Sequence, residues 1–245
     1  MIEIIEQKEW HNHQLVKQIA LNKANKPVSF LTVSPTHING NLPWIIAIHG
    51  RTGSKEDWLE LDAYTKGGNL VKALADNGYA VAAIDLYGHG ENQTDTFIDC
   101  DDLVDNEWET FFHGSLESIE VVMSNLVKQG TFDQNRIGFL SYSLGVHFGF
   151  WMANRNAKFK TMVICVPSVD KSHDDEYTTY KNVSNLEAAT LLIVGENDEH
   201  IPLEDSKWLY EQLPMKDKHF VSYQSDHSLP VDYVPVAVDW FKKWL

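Results

Sequence analysis

Cysteine is scarce in this chain of 245 residues, which contains only Cys100 and Cys165 and no C-x-x-C pair. Two isolated cysteines build neither a disulfide framework nor a cysteine-based zinc site. Positive charge is also in short supply, because 20 Lys and Arg residues face 35 Asp and Glu residues, giving a formal net charge of -15. A field of that sign repels phosphate backbones and anionic lipid. We therefore expect no nucleic-acid partner and no membrane partner.

Long apolar runs are absent as well. No stretch approaches the roughly 20 apolar residues that span a bilayer, and residues 1–10 are acidic and mixed, unlike a signal peptide. We expect a cytoplasmic protein. The composition itself, 43% hydrophobic and 22% charged, is that of a globular protein and excludes a disordered tail or a collagen-like repeat. Because no internal repeat or linker is visible, residues 1–245 are predicted to form a single domain without a large cap domain.

Short apolar runs alternate with longer helical patterns from about residue 44 onward. The runs predicted as strands are 45–49, 80–85, 136–141, 161–166, 190–195 and 219–224. The helical patterns are 66–79, 111–128, 144–155, 203–213 and 231–245. Strands that are apolar on both faces and separated by helices predict an α/β protein with a mostly parallel central sheet and helices on both faces. Residues 14–20 and 28–33 alternate more, and we expect them to be antiparallel strands at one edge of the sheet.

The segment Ser141-Tyr142-Ser143-Leu144-Gly145 lies between a predicted strand and a predicted helix. A serine is a nucleophile only where its oxygen is exposed and its neighbours leave room for the substrate. A tight strand-to-helix turn achieves this when small residues stand two positions before and after the serine. Taken alone, a small-x-Ser-x-Gly pattern arises by chance. Its position at the end of a strand makes Ser143 the candidate nucleophile.

Two further strand ends carry polar residues. Asp198 follows the strand predicted at 190–195, and His227 follows the one at 219–224. Because the functional groups of parallel sheets lie beyond the carboxyl ends of the strands, these side chains are expected near Ser143. Alternatively, Asp198 only caps a turn, and His227 is a surface residue among 11 histidines. Asp226 competes with Asp198 as the partner of His227, but adjacent loop residues usually point apart, so Asp198 is preferred.

The loop 49–57 follows the first predicted parallel strand and contains Gly50 and Gly53. An acyl-transfer enzyme stabilises the oxyanion of its substrate with two converging backbone N–H groups. We expect one from Leu144, after the candidate nucleophile, and the other from Arg51, where the glycines let the backbone come close to the substrate. The alternative interpretation is a flexible turn with a helix cap at Ser54.

Two side chains are predicted to bind substrate. The guanidinium of Arg51 either faces the pocket, where it would favour a substrate that carries a carboxylate, or is solvated while only its backbone acts. Tyr142 is a candidate pocket wall. Trp58 and Trp151 are candidates of the same kind, and all three aromatic residues fit the core as well.

The stretches IAIHGRTGSKEDW, DLYGHGEN, LSYSLG, GENDEHIP and SDHSLP resemble those of the α/β-hydrolase family. The chain looks similar to its compact, cap-less bacterial esterases and to its dienelactone-hydrolase-like and peptidase-S9-like members. The resemblance implies the α/β-hydrolase fold, with the chain order Ser143, Asp198, His227 for nucleophile, orienting acid and general base. It also implies Arg51 and Leu144 as oxyanion donors, and neither a metal nor an organic cofactor. Ser141 in place of Gly, and Arg51 after His-Gly, depart from the family pattern.

We therefore expect a serine hydrolase that cleaves short-chain or small aromatic carboxylic esters through an acyl-enzyme. Thioesterase, lactone hydrolase and peptidase activities remain open, because a fold and its triad do not fix the substrate. A catalytically silent binding protein on the same scaffold is the alternative from a different class. The expected partner is a small-molecule ester, and aromatic residues of the last predicted helix could support a homodimer.

Overall fold

One sheet organises the molecule. The computed structural model describes residues 2–36, 41–92, 98, 103, 105–130, 132–155, 157–169, 171 and 176–245. The strands of these residues are β1 (Ile2–Trp10), β2 (His13–Leu21), β3 (Pro27–Pro35), β4 (Leu42–Ile48), β5 (Ala80–Ile84), β6 (Phe132–Tyr142), β7 (Thr161–Cys165), β8 (Ala189–Gly195) and β9 (Lys218–Tyr223). They form a nine-stranded sheet in the order β1-β2-β3-β5-β4-β6-β7-β8-β9. Cys100 lies outside the described residues, as do parts of the segments 91–109 and 166–190.

The amino-terminal strands are antiparallel, as predicted. β1 pairs with β2, β2 with β3, and β3 with β5 in antiparallel register. The sequence pattern predicted β2 and β3 but not β1. Most side chains of β1 are exposed, Ile4 and Ile5 among them. This edge strand therefore has no buried face that would give it a periodic apolar pattern.

The remaining strands form the parallel half of the sheet. β4 lies between β5 and β6, and β7, β8 and β9 follow in order, all parallel to their neighbours. β5, β7 and β8 are buried along their whole length. Burial on both faces explains why these segments read as continuous apolar runs. Because all six strands run the same way, the loops after their carboxyl ends meet along one edge.

Helices cover both faces, which confirms the predicted architecture. They are α1 (Gly67–Asp76), α2 (Asp105–Gln129), α3 (Val146–Asn154), α4 (Leu203–Gln212) and α5 (Tyr233–Trp244). Leu74 of α1 and Phe241 of α5 belong to one hydrophobic cluster, while Leu116 of α2, Phe148 of α3 and Leu209 of α4 belong to the other. The described helices include none that is long and apolar enough to cross a membrane.

Two predictions about organisation stay predictions, namely the single domain without a large cap and the homodimer through the last helix. On α5, the Trp240 ring stacks on His219 of β9, with 6.3 Å between ring centroids, and the Lys243 ammonium lies 4.7 Å from the Trp244 ring centre. These aromatic residues are half-buried against their own chain.

Candidate active site

A cavity of about 960 Å³ lies at the carboxyl ends of the parallel strands. Residues that follow β4, β6, β7, β8 and β9 all contribute to its wall, so the strand-end loops converge as the sequence predicted. The cavity lining includes Arg51, Tyr64, Trp108, Ser143, Leu144, His147, Ser168, Tyr177, Asp226 and His227. Its size is within the range of ordinary small-molecule sites.

Ser143 stands at the turn between β6 and α3. Its backbone φ is 49°, in the left-handed region that a non-glycine residue rarely adopts. The turn is tight, because a Cβ at Gly145 would lie 2.8 Å from the carbonyl oxygen of Ile48 and 2.9 Å from Cβ of Ser141. Ser141 itself is completely buried. The small residues on both sides of Ser143 are therefore a packing requirement, and a side chain in place of Gly145 would push the turn away from β4.

Asp198 and His227 are in direct contact. Nδ1 of His227 lies 2.7 Å from Oδ2 of Asp198 and donates its proton there, since a carboxylate only accepts. The other oxygen, Oδ1, accepts the backbone N–H groups of His200 at 2.9 Å and Ile201 at 3.0 Å. The carboxylate is thus fixed by its own loop and presents one oxygen to the imidazole. With the Nδ1 proton committed, Nε2 of the neutral ring is an acceptor.

The surroundings of Asp198 favour its charged form. Burial alone would raise the pKa of this carboxyl, but the hydrogen bond from His227 and the two backbone N–H groups outweigh it and hold the pKa below its usual value. Asp226, the competing candidate, also lines the cavity, and its Oδ1 accepts the N–H of Ser228 at 2.7 Å. Of the two, Asp198 is therefore the acid that the structure places on His227.

Two buried histidines hold the loop after β4. His49 Nε2 accepts the N–H of Leu86 at 3.1 Å, so its Nδ1 carries the proton and donates to the carbonyl oxygen of Gly50 at 2.7 Å. Burial lowers the pKa of His49 to about 3, which keeps the ring neutral. His89 donates from Nε2 to the carbonyl oxygen of Arg51. Leu86 and His89 follow β5, so residues after β5 hold two carbonyl groups of the loop after β4. His89 binds the carbonyl oxygen of Arg51 directly, and Leu86 holds the His49 ring that binds the carbonyl oxygen of Gly50.

The far end of the same loop is anchored by a buried ion pair. Lys55 is 1% exposed and Asp85 is fully buried, with 2.7 Å between Nζ and Oδ2. Oδ1 of Asp85 accepts the backbone N–H of Lys55 at 2.8 Å, and Glu91 lies 3.0 Å from the same ammonium. Ser54 caps the short helical turn here, as the alternative interpretation proposed, with its hydroxyl accepting the N–H of Glu56. The helix cap at Ser54 is therefore present, and the loop that contains it is held in place by the Lys55–Asp85 pair.

Of the two residues predicted to bind substrate, Arg51 belongs to the cavity lining and Tyr142 does not. Tyr142 is completely buried, and its hydroxyl donates to the carbonyl oxygen of His227 at 2.6 Å. The prediction that Tyr142 forms a pocket wall is therefore corrected, since its side chain lies beneath the loop of His227. Trp58 is likewise core, and Trp151 packs against the core with the Arg155 guanidinium over its ring at 4.1 Å.

Other residues supply the aromatic part of the wall. Tyr64, Trp108 and Tyr177 come from the loop after β4, the first turn of α2 and the segment before β8. Sequence patterns do not show that such distant segments share a surface. His147 was missed although a signal was present, because it follows Ser143 by one helical turn. Nδ1 of His147 lies 3.1 Å from the Thr179 hydroxyl, and Trp108 packs edge-on against its ring.

Within the part of the chain that the structure describes, no group of three or more His, Cys, Asp and Glu residues could hold a metal ion.

The sheet, its helices and the strand-end site define the α/β-hydrolase fold, and solved structures of that fold superpose on the chain. An acetyl xylan esterase from Paenibacillus sp. R4 has a TM-score of 0.75 at 14% identity, covering 100% of this chain and 88% of that one. Acetyl xylan esterase 1 from Thermoanaerobacterium sp. JW/SL YS485 has a TM-score of 0.74 at 15% identity, with 99% and 87% covered. A cold-adapted esterase from an Arctic intertidal metagenomic library has a TM-score of 0.75 at 16% identity, with 98% of both chains covered.

The family follows from the sequence match. The family model described as "Dienelactone hydrolase family" matches residues 33–236, and the chain belongs to that family. No curated protein gives a significant sequence match. Membership of this family supports a hydrolase, in agreement with the resemblance drawn from the strand-end motifs.

Proposed function

We propose that the chain is a serine hydrolase that cleaves short-chain or small aromatic carboxylic esters through an acyl-enzyme on Ser143. One observation carries the proposal: Ser143 stands on a strained strand-to-helix turn in the same cavity as His227, whose Nδ1 donates to Asp198. A nucleophile, a base within the same cavity and a group that orients the base are the parts that acyl transfer requires.

In the first step, Nε2 of His227 accepts the hydroxyl proton of Ser143 while Oγ forms a bond to the ester carbonyl carbon. Asp198 keeps the Nδ1 proton in place and stabilises the imidazolium that results. The ionised state of Asp198, favoured by its lowered pKa, suits this role. Collapse of the tetrahedral intermediate breaks the carbon–oxygen bond of the ester, and the departing alcohol takes the proton from Nε2.

The negative charge on the substrate oxygen needs two N–H donors, for which we propose Leu144 and Arg51. Leu144 lies in the turn that leads into α3, where the first amides of a helix lack internal partners. The Gly50 carbonyl accepts from His49 and from the N–H of Gly53 at 3.1 Å. Since the N–H and C=O of a trans peptide point in opposite directions, this fixes the direction of the Arg51 amide.

In the second step a water molecule takes the place of the alcohol. Nε2 of His227 accepts a proton from the water as its oxygen attacks the acyl carbon, and the same two amides stabilise the second oxyanion. The bond between the acyl carbon and Oγ of Ser143 then breaks, and Oγ recovers a proton from Nε2. The products are the free acid and the starting enzyme.

The residues of the cavity wall support the proposal that the substrate is an ester with a short or small aromatic acyl group. Tyr64, Trp108 and Tyr177 offer aromatic faces, while the wall near His227 carries polar side chains. Two of the similar structures are those of acetyl xylan esterases, which also supports a short acyl group. We further propose a cytoplasmic location, on the basis of the acidic composition.

The test is hydrolysis of p-nitrophenyl esters from acetate to decanoate by the wild type, Ser143→Ala and Ser168→Ala. Ser168 lines the same cavity, so its variant removes a hydroxyl group without removing the nucleophile. Ser143→Ala is expected to lower kcat by about a thousandfold or more. Ser168→Ala is expected to stay within about twofold of the wild type. The dependence of kcat/KM on acyl-chain length then measures how long an acyl chain the cavity accepts.

A fluorophosphonate probe gives the second measurement, because it labels only an activated serine. Labelling at Ser143 without ester turnover would indicate that the same catalytic residues act on thioesters, lactones or peptides instead. A wild type that neither turns over esters nor reacts with the probe would overturn the proposal and favour a silent binding protein.

A further inference from the structure

Tyr142 joins the nucleophile to the loop of the general base. Its hydroxyl donates to the carbonyl oxygen of His227 at 2.6 Å and accepts the N–H of Leu229 at 3.1 Å. Both partners are backbone groups that flank the same turn, so one oxygen atom bridges the loop after β9. The side chain is fully buried. Burial raises the pKa of this phenol far above its usual range, so the hydroxyl keeps the proton that it donates.

The bridge is short and stiff. Tyr142 is the last residue of β6 and is covalently bonded to Ser143, whose φ of 49° leaves the turn little freedom. The tyrosine has two side-chain torsions, and its ring packs edge-on against the imidazole of His227 with centroids 5.9 Å apart. It packs in the same way against Tyr64, at 5.7 Å. The path from Ser143 to His227 therefore runs through one immobilised side chain.

The contact acts on a different degree of freedom from the Asp198 hydrogen bond. Asp198 Oδ2 binds Nδ1 and so fixes the rotation of the imidazole ring. It leaves the height of the loop above the sheet to backbone contacts. Those contacts include the N–H of Asn197 with the carbonyl oxygen of Ser225 at 2.9 Å, the Ser228 hydroxyl with the carbonyl oxygen of Tyr64 at 2.5 Å, and the bridge from Tyr142. Of these, only the bridge connects the loop to the strand that carries Ser143.

From this geometry we infer that Tyr142 is a positioning residue that sets the distance between Ser143 and the His227 imidazole. The inference rests on the proposed function, in which His227 takes the proton of Ser143. Without the hydroxyl, the carbonyl oxygen of His227 and the buried N–H of Leu229 both lose a partner. The loop then samples heights at which Nε2 is too far from Oγ for proton transfer, and small displacements of a catalytic group have large effects on rate.

The test compares Tyr142→Phe with Tyr233→Phe. Tyr233 is also fully buried, and its hydroxyl donates to a backbone carbonyl oxygen, that of Thr65, at 2.8 Å. The two variants therefore remove the same atom from the same kind of environment. Both are expected to lower Tm by a similar few degrees, on the order of 2–8 °C. Tyr142→Phe is expected to lower kcat about tenfold to a hundredfold with little change in KM, whereas Tyr233→Phe keeps the wild-type kcat.

A spectroscopic readout separates positioning from general loosening. The proton between His227 Nδ1 and Asp198 is expected to give a far-downfield NMR resonance in the wild type. Tyr142→Phe should broaden or shift that resonance, and Tyr233→Phe should leave it in place. The amide of Leu229 should exchange slowly in the wild type and at least about tenfold faster in Tyr142→Phe. The exchange rates need no substrate.

These outcomes decide the inference separately from the proposed function. Full kcat in Tyr142→Phe, with an active wild type, would overturn the positioning role and leave the serine hydrolase intact. Equal losses of kcat in both variants would overturn it as well, since they would show a general packing effect. An inactive wild type would instead overturn the proposed function. If Tyr142→Phe does not fold, fast exchange of the Leu229 amide in the wild type would still contradict the bridge.

Discussion

The carbonyl oxygen of Asp226 occupies the space where a side chain on Gly195 would begin. A Cβ built on Gly195 lies 2.1 Å from that oxygen and 2.7 Å from the carbonyl oxygen of Ser225. The loop after β9 thus crosses directly over the last residue of β8. This crossing brings His227 to Asp198, which follows Gly195 by one short turn.

Gly195→Ala is expected to separate His227 from Asp198, because the new methyl group pushes the crossing loop outward. We expect kcat/KM to fall at least about tenfold and the free energy of unfolding to fall by about 1–3 kcal/mol. Ester kinetics and urea denaturation measure the two effects. Gly130→Ala is the control, since its φ is +74° but no atom lies within 4 Å of the added Cβ. Its cost of about 1–2 kcal/mol should come without loss of turnover. Wild-type kcat/KM in Gly195→Ala would show that the close crossing is dispensable.

His49 predicts a specific loss of stability in acid. Burial lowers its pKa to about 3 in the folded protein, while an unfolded histidine has a pKa of about 6.5. Between those values the unfolded chain binds a proton that the folded protein does not, so stability falls as the pH falls through this window. The limiting slope is about 1.4 kcal/mol per pH unit. Urea denaturation between neutral pH and the middle of the window measures it.

The slope is isolated by comparing the wild type with His49→Asn. His49→Asn should make the loss of stability with falling pH shallower than in the wild type. Asp57, whose pKa is raised to about 6 by burial, contributes a slope of opposite sign, and it is present in both proteins. Parallel pH profiles for the wild type and His49→Asn would contradict a neutral, buried His49.

Arg51 predicts a preference for anionic esters. Arg51 belongs to the cavity lining, beside the proposed oxyanion site, and a guanidinium that faces the cavity would pair well with a carboxylate. Arg51→Gln keeps the backbone N–H and removes the charge. We expect it to lower kcat/KM about tenfold for p-nitrophenyl hemisuccinate, and far less for p-nitrophenyl acetate. Arg155→Gln, at a position outside the cavity lining, controls for the change in net charge. An unchanged ratio of the two substrates would leave Arg51 with a backbone role alone.

The Lys55–Asp85 pair predicts a large difference between two lysine variants. Lys55→Met leaves the fully buried Asp85 without its counter-charge, which is expected to cost about 3–5 kcal/mol in urea denaturation. Lys72 forms an exposed pair with Asp76 at 2.7 Å on α1, and Lys72→Met should cost less than about 1 kcal/mol. Similar costs for the two variants would mean that water reaches the Lys55–Asp85 pair in the folded protein.

The sequence predicted the elements that depend on local pattern. β5, β7 and β8 are buried on both faces, and such burial produces a run of consecutive apolar residues that is visible in the sequence, as at 161–165. Ser143, Asp198 and His227 could be singled out because each follows a parallel strand, and the structure places them around one edge of the sheet. Their catalytic roles stay predictions until the kinetics are measured.

What the sequence could not show depends on partners far away along the chain. Tyr142 and His227 are 85 positions apart, and no local pattern reveals that a tyrosine hydroxyl meets the backbone of a distant loop. Trp108 and Tyr177 are likewise brought to the cavity only by the packing of α2 and the segment before β8. β1 was missed for the opposite reason, because a solvent-exposed edge strand needs no apolar periodicity.

The loop after β4 is held by residues that do not face the cavity. His49 and His89 donate hydrogen bonds to two of its carbonyl groups, and Lys55 at its far end forms an ion pair with Asp85. Arg51 lies between these contacts and belongs to the cavity lining. The residues that hold this segment are therefore different from Arg51, the residue for which we propose a role in substrate selection. Substitutions at position 51 are therefore expected to change which substrates the cavity accepts while the backbone conformation of the loop is kept.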